Sequence, residues 1–370
     1  MTDTNLKPTA TQSVQKLPPY QAGKPIDELA REIGFAVDDI VKLASNENPL
    51  GLSDKVKEAL SESFDDLSRY PNANGYDLKQ ALAEKYDVEA SQITLGNGSN
   101  DLLDIVARTY VTANDEVIFA EHAFVVYPIV TKIIGAKAVV VPAKDYGHDL
   151  DAMLAAVTAK TKLVFIANPN NPTGTFLSQD DLEDFLDELP SNIIVVLDEA
   201  YFEYADIIAR GNAIEWLKQY PNLIVSRTFS KAYGLAGLRI GYSLSSSDVA
   251  ELLNRVRQPF NCSVLALKAA TTILLDERYL LDSVCLNNRG MKDLTAFFER
   301  HNLEFIPSMG NFITVNVGQS GDDVYQDLLK EGVIVRPITG YGLPNHLRIS
   351  IGTEKENQRF KGALIKVLEL

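Results

Sequence analysis

The chain has 370 residues, with 35 Lys and Arg against 50 Asp and Glu for a formal net charge of -15, which argues against a general nucleic-acid or anionic-membrane surface. Its 46% hydrophobic and 23% charged residues exclude a disordered chain and suit two ordinary domains, or one large domain with an appendage. Any anionic ligand must therefore meet a local cluster of Arg, Lys or helix N-termini.

Residues 1–25, rich in Thr, Gln, Pro and Lys and carrying Pro18-Pro19-Tyr20 near their end, predict an extended arm. No basic segment followed by an apolar stretch opens the chain, and no apolar run approaches 18 residues, so the cytoplasm is the expected address. From about residue 50, amphipathic helical stretches (53–67, 77–86, 99–110) alternate with short β-branched runs at 92–95, 116–119, 138–141, 163–166, 193–197, 223–226 and 239–244. Several are apolar on both faces, as in Ile193-Ile194-Val195-Val196-Leu197, which fits a mostly parallel sheet covered by helices on both sides. The plan is doubly wound α/β.

Beyond residue 244 the alternation stops. Helical stretches at 247–258 and roughly 264–300 lead to short strand candidates at 304–306, 312–315, 333–336 and 347–351, with a closing helix from about Lys355. This tail predicts a smaller α+β domain. Cys262 and Cys285 show no CxxC pattern, and His122, His148, His301 and His346 are scattered, so buried thiols and no metal are expected.

Four segments place polar residues just after predicted strands, at the sheet edge where open α/β folds bind ligands. The first, Gly96-Asn97-Gly98-Ser99-Asn100, runs from a strand into a helix and offers free N–H groups and a positive dipole end to a phosphate. It also reads as a plain glycine turn with Ser99 or Asn100 as helix cap. A dinucleotide fingerprint fails, because its third glycine would fall on Asp101. The second, Asn168-Pro169-Asn170-Asn171-Pro172-Thr173-Gly174, is a stiff loop that fixes side-chain amides. In the third, Asp198 ends an apolar strand, where such a buried acid requires a cation or N–H partner, or else reads as the cap of a following helix. The fourth runs from Ser226 to Tyr242 and holds Lys231 among small and apolar residues, between the hydroxyls of Thr228 and Ser230 and the guanidinium of Arg239. Desolvation and a nearby cation lower an amine's pKa there and make it a Schiff-base nucleophile.

Together these supply what pyridoxal 5'-phosphate demands: a lysine for its aldehyde, an acid for its ring nitrogen, a phosphate cradle, an aromatic face and a donor to its phenolate. With Pro19-Tyr20, Leu43-Ala44-Ser45-Asn46-Glu47-Asn48-Pro49, Arg69-Tyr70-Pro71 and His346-Leu347-Arg348-Ile349-Ser350-Ile351-Gly352, the chain resembles the aspartate-aminotransferase-like, fold-type-I pyridoxal-phosphate enzymes, and within them the histidinol-phosphate aminotransferases. The resemblance implies a large cofactor-binding domain (46–275) with a seven-stranded, mostly parallel sheet, a small C-terminal domain (276–370), and an arm and extension (1–45) packing on the small domain or a partner. It implies Lys231 as the Schiff-base lysine and proton shuttle, Asp198 on the pyridine nitrogen, and Asn171 and Tyr201 as donors to the phenolic oxygen. Gly98, Ser99, Asn100, Thr228, Ser230 and Arg239 would hold the phosphate and Phe124 would stack on the ring. Tyr70 would reach the phosphate of the other subunit in a homodimer with shared sites. Two departures stand out: Asn100 where many relatives carry an acid, and Phe124 without the hydroxyl often found there.

The implied reaction is ping-pong transamination between histidinol phosphate plus 2-oxoglutarate and imidazole-acetol phosphate plus glutamate, a step of histidine biosynthesis. Arg348 fills the place of the arginine that grips a substrate carboxylate through a bidentate fork; histidinol phosphate offers a phosphate there instead, which makes Arg336 and Tyr20 the discriminating candidates. Alternatives are an aromatic amino-acid aminotransferase, a decarboxylase of a phosphorylated amino acid on the same scaffold, and a non-catalytic binding protein, which the pairing of Lys231 with Asp198 disfavours.

Overall fold

The computed structural model describes residues 9–15, 17–19 and 23–370. Strand β1 (Val41–Lys42) stands apart from the main sheet. Strands β2 (Ile93–Gly96), β3 (Glu116–Ala120), β4 (Lys137–Val141), β5 (Thr161–Ala167), β6 (Ile194–Asp198), β7 (Leu223–Thr228) and β8 (Gly241–Leu244) form one seven-stranded sheet in the order β2-β8-β7-β6-β5-β3-β4. Only β8 runs against its neighbours; the other pairs are parallel. All seven predicted runs are strands of this sheet.

The apolar run in β6 feeds two cores by simple alternation. Val195 and Leu197 belong to the core that holds Val164 of β5 with Leu182 and Phe185 of the helix Gln179–Glu188, while Ile194 and Val196 face the helices Ser99–Tyr110 and Val126–Ile134. Burial on both faces is why the strand carries no polar residue before Asp198.

Strands β9 (Phe305–Ile306), β10 (Phe312–Asn316), β11 (Val333–Ile334), β12 (Arg336–Pro337) and β13 (His346–Ser350) follow. Four of them make a second sheet of order β12-β13-β10-β9, packed on the helices Glu277–Arg300 and Glu354–Leu368 through Phe298, Phe360 and Leu364. The segment 333–336, expected as one strand, is two: β11 pairs in parallel with β1, whereas β12 pairs antiparallel with β13. Local alternation cannot reveal that neighbouring residues take different partners. The helix Ile26–Ile33 lays Leu29 and Ala30 against Leu329 and Ile334.

Other boundaries shifted for local reasons. The stretch 53–67 stops as an α-helix at Ser61 and continues as a 3₁₀ turn, Phe64–Ser68, whose Phe64 and Leu67 are exposed. The stretch 264–300 is two helices, Val264–Leu274 and Glu277–Arg300, divided at Asp276, whose carboxylate accepts from Ser53 Oγ at 2.6 Å. Within the arm, Gln12–Gln15 forms a helical turn against Val126–Ile134, where an extended chain was expected. Among the described residues no helix is long and apolar enough to cross a membrane.

Candidate active site

Strands β2, β5, β6 and β7 all end at one edge of the large sheet, and each delivers polar residues to a single cleft there. Asp198 is the last residue of β6 and is buried. Its Oδ2 accepts from Tyr127 Oη at 2.9 Å, yet its Oδ1 has no hydrogen-bond partner among the described residues. Burial raises its pKa to about 6, against the pull of the Tyr127 hydroxyl and the Ala200 N–H. A buried carboxylate with one oxygen unanswered, lining a cleft, is suited to a cationic N–H donor. It does not cap a helix; a 3₁₀ turn, Phe202–Tyr204, begins only four residues later.

Lys231 follows β7 by three residues and lines the same cleft. Its Nζ donates to the Ser45 carbonyl at 3.0 Å. Desolvation first, then the charges of Arg348 and Arg239, lower its pKa to about 7, with Glu47 and Asp198 opposing. A substantial fraction of this amine is therefore neutral near neutral pH, the state a nucleophile requires.

The glycine turn after β2 builds an anion cradle. Gly98 is the N-cap of the helix Ser99–Tyr110, with φ 79° and no side-chain cap; Ser99 and Asn100 lie inside the first turn instead of capping it. Their N–H groups are the orphan donors of that terminus. Asp101, which broke the dinucleotide pattern, accepts from Asn97 N at 2.8 Å and from Asn261 Nδ2 at 2.8 Å and so holds the turn. Opposite, Arg239 Nη1 donates to Ser230 Oγ at 3.2 Å, and Thr228 Oγ1 accepts from Ser230 N at 3.1 Å. A Cβ placed on Gly98 would collide with Arg239 Nη2, so glycine is what lets the guanidinium approach the turn.

The asparagine loop after β5 divides its labour. Asn168 bonds Leu177 N and O, and Asn170 bonds the His122 carbonyl and Thr173 Oγ1, which fixes the loop. The amides preceding Pro169 and Pro172 are cis. Of the loop's three asparagines Asn171 lines the cleft, where its Oδ1 accepts from Arg348 Nη1 at 2.6 Å. Tyr201 is buried beside it, with its hydroxyl accepting from Asn46 Nδ2 at 2.9 Å and its pKa pushed up to about 12 by burial. Phe124 lines the cleft edge-on to Tyr127, centroids 5.9 Å apart.

The second sheet closes the cleft. Arg336 and Arg348 both line it, and Arg348 Nη2 also donates to the Ala44 carbonyl at 2.7 Å. Tyr70 is placed elsewhere: it is 82% exposed and stacks on Phe260 at 4.6 Å. Tyr20 lies outside the described residues.

Four contributors escaped the sequence reading. Tyr127 looks like any core aromatic of an apolar helix, so nothing flagged it. Ser45 contributes only a carbonyl. Asn46, buried at φ 53°, and Tyr341, whose carbonyl bonds His122 Nδ1 at 2.7 Å, line the cleft from segments that carry no strand-end signal. An asparagine between an apolar stretch and a proline, in Ala44-Ser45-Asn46-Glu47-Asn48-Pro49, was the available cue.

The donor set fits a phosphorylated heterocycle with a protonated ring nitrogen: an unanswered carboxylate oxygen, an amine of lowered pKa, and an arginine-backed helix N-terminus share one cleft.

Comparison with known proteins agrees. Residues 38–364 match the family model described as aminotransferase class I and II. The chain is 60% identical over 367 residues to histidinol-phosphate aminotransferase 1 of Idiomarina loihiensis, covering 99% of this chain and 100% of that one. It is 57% identical to histidinol-phosphate aminotransferase 2 of Pseudomonas fluorescens strain Pf0-1, covering 98% of each. The crystal structure of histidinol-phosphate aminotransferase from Sinorhizobium meliloti in complex with pyridoxal-5'-phosphate superposes with a TM-score of 0.89 at 30% identity over 99% of both chains.

Proposed function

This chain belongs to the class I and II aminotransferases, and we propose that it is the histidinol-phosphate transaminase of histidine biosynthesis, interconverting histidinol phosphate plus 2-oxoglutarate with imidazole-acetol phosphate plus glutamate. Its cofactor is pyridoxal 5'-phosphate. Identity of 55–60% across the whole chain to several histidinol-phosphate aminotransferases carries the substrate assignment.

When bound, pyridoxal phosphate supplies an electron sink for a substrate carbon that has lost its proton. We assign the chain's groups as follows. The cradle of Gly98, Ser99, Asn100, Thr228, Ser230 and Arg239 holds the phosphate. Asp198 Oδ1 would accept from the protonated ring nitrogen, whose charge favours the carboxylate against the burial that raises the Asp198 pKa. Asn171 and Tyr201 donate to the phenolic oxygen, and Phe124 covers the ring. Lys231 Nζ would hold the aldehyde and, as the free amine, would accept the substrate α-proton and deliver it to the cofactor carbon. Arg348 and Arg336 grip the substrate phosphate in one half-reaction and the carboxylates of glutamate in the other.

We further infer a cytoplasmic homodimer with shared sites, supported by the exposed apolar group of Phe64, Leu67 and Tyr70 beside Phe260. The decisive experiment compares kcat/KM for histidinol phosphate, phenylalanine and tyrosine with 2-oxoglutarate as acceptor. A clear preference for histidinol phosphate is expected. A preference for the aromatic amino acids would replace the substrate assignment, and carbon dioxide release without an acceptor would replace the reaction.

A further inference from the structure

Resting on the roles given to Lys231 and Tyr201 above, we propose that Asn46 is a positioning residue that aims the Tyr201 hydroxyl at the cofactor's phenolic oxygen, and that Ser350 on β13 sets the Asn46 amide. A phenol has one proton to donate and lone pairs to accept with. In this protein Asn46 Nδ2 donates to Tyr201 Oη at 2.9 Å, which fills the accepting side and leaves the O–H for the cleft.

The polarity of this contact is imposed from behind. Asn46 is buried at 1% exposure and held at φ 53°, a conformation asparagine tolerates. Its backbone N–H donates to Ser350 Oγ at 2.8 Å, and Asn311 Nδ2 donates to its carbonyl at 3.0 Å. Ser350 Oγ, already accepting that N–H, gives its own proton to Asn46 Oδ1 at 3.0 Å. The NH₂ end of the amide must then face Tyr201. A directed chain results: Ser350 to Asn46, Asn46 to Tyr201, Tyr201 to the cleft. Ser350 stands two residues beyond Arg348 on the same strand and therefore on the same face. The strand that presents the substrate-gripping arginine thus also orients the phenol.

A donor to the phenolic oxygen stabilises negative charge there and weakens its hold on the proton shared with the lysine–cofactor nitrogen. Losing the donor raises the pKa of that linkage. The other titratable and charged groups facing it are Arg348, Arg239, Glu47 and Asp198 around Lys231, and Arg348, Asp198 and Tyr341 around Tyr201, none of which the substitution of Asn46 removes.

The test is a pH titration of the visible absorbance of the holoenzyme for wild type, Asn46→Gly, Tyr201→Phe and the double variant; glycine accepts the positive φ and adds no charge. Asn46→Gly is expected to move the midpoint upward by about half a unit to one unit, and to add no further shift in the Tyr201→Phe background. An unmoved midpoint, or shifts that simply add, overturns the proposal whatever happens to thermal stability. Should Asn46→Gly fail to retain cofactor, Ser350→Ala serves: it frees the amide to turn and is expected to give a smaller upward shift, and no shift overturns the proposal. A wild-type protein without a borohydride-reducible visible band would instead sink the Lys231 reading itself.

Discussion

Arg336 and Arg348 are direct cross-strand partners on β12 and β13. Like charges placed opposite each other on a sheet destabilise it, and both side chains line the cleft beside Lys231. Arg348 is steadied by Asn171 and the Ala44 carbonyl, which leaves a paired cationic surface suited to a dianion. Arg336→Ala is expected to raise KM for histidinol phosphate about 10- to 100-fold, the worth of a lost charge-assisted bond, with a much smaller effect for a monocarboxylate amino acid. Steady-state kinetics on both substrates decide it; equal effects count against a phosphate pocket.

Lys231→Ala should abolish the visible, borohydride-reducible absorbance and lower kcat by roughly 10²–10⁴-fold, the usual contribution of a positioned proton-transfer group. Asp198→Asn should keep the fold and lower kcat within the same range, since an amide in that place cannot hold a ring nitrogen proton. Absorbance spectra and single-turnover rates separate the two. Full turnover by either variant would remove its assigned role.

Gly98→Ala forces a Cβ against Arg239 Nη2 at a φ of +79°. The strain is worth about 1–3 kcal/mol, so cofactor affinity is expected to fall at least about 10-fold while the protein remains folded. Fluorescence titration of the cofactor-free protein with pyridoxal phosphate measures it.

The cofactor-free protein should show two opposed pH effects on stability. Asp198, raised from 3.8 to about 6, binds its proton more tightly when folded; its contribution is present below pH 3.8 and is lost as pH rises through about 6. Lys231, lowered from 10.5 to about 7, binds its proton more tightly when unfolded, so its burden is present above pH 7 only in part and lifts as pH climbs to 10.5. Urea unfolding across pH 4–10 for wild type and Asp198→Asn tests this: the variant should lose the decline between pH 4 and 6 by an amount on the order of 3 kcal/mol. Superposable curves would contradict it.

Mixing inactive Lys231→Ala with Tyr70→Ala chains tests the shared-site dimer. In a hybrid pair one site keeps both residues, so re-equilibrated mixtures should recover up to about a quarter of wild-type activity. No recovery, with exchange shown by mass, rules out a role for Tyr70 across the interface.

Much of this was written in the chain's local pattern. Continuous apolar runs such as 193–197 and 223–225 announce buried parallel strands, because both faces of each must be covered. The polar residues just beyond them, Asp198 and Lys231, mark the ligand-binding edge, since a buried acid or amine there needs a partner. What no local pattern carried is who answers whom. Tyr127 reaches Asp198, Asn46 reaches Tyr201 across 155 residues of sequence, and 333–336 divides between two sheets. Hydrogen bonding and strand pairing are relations between distant segments, whereas burial and periodicity belong to each segment alone; only the folded chain sets the first.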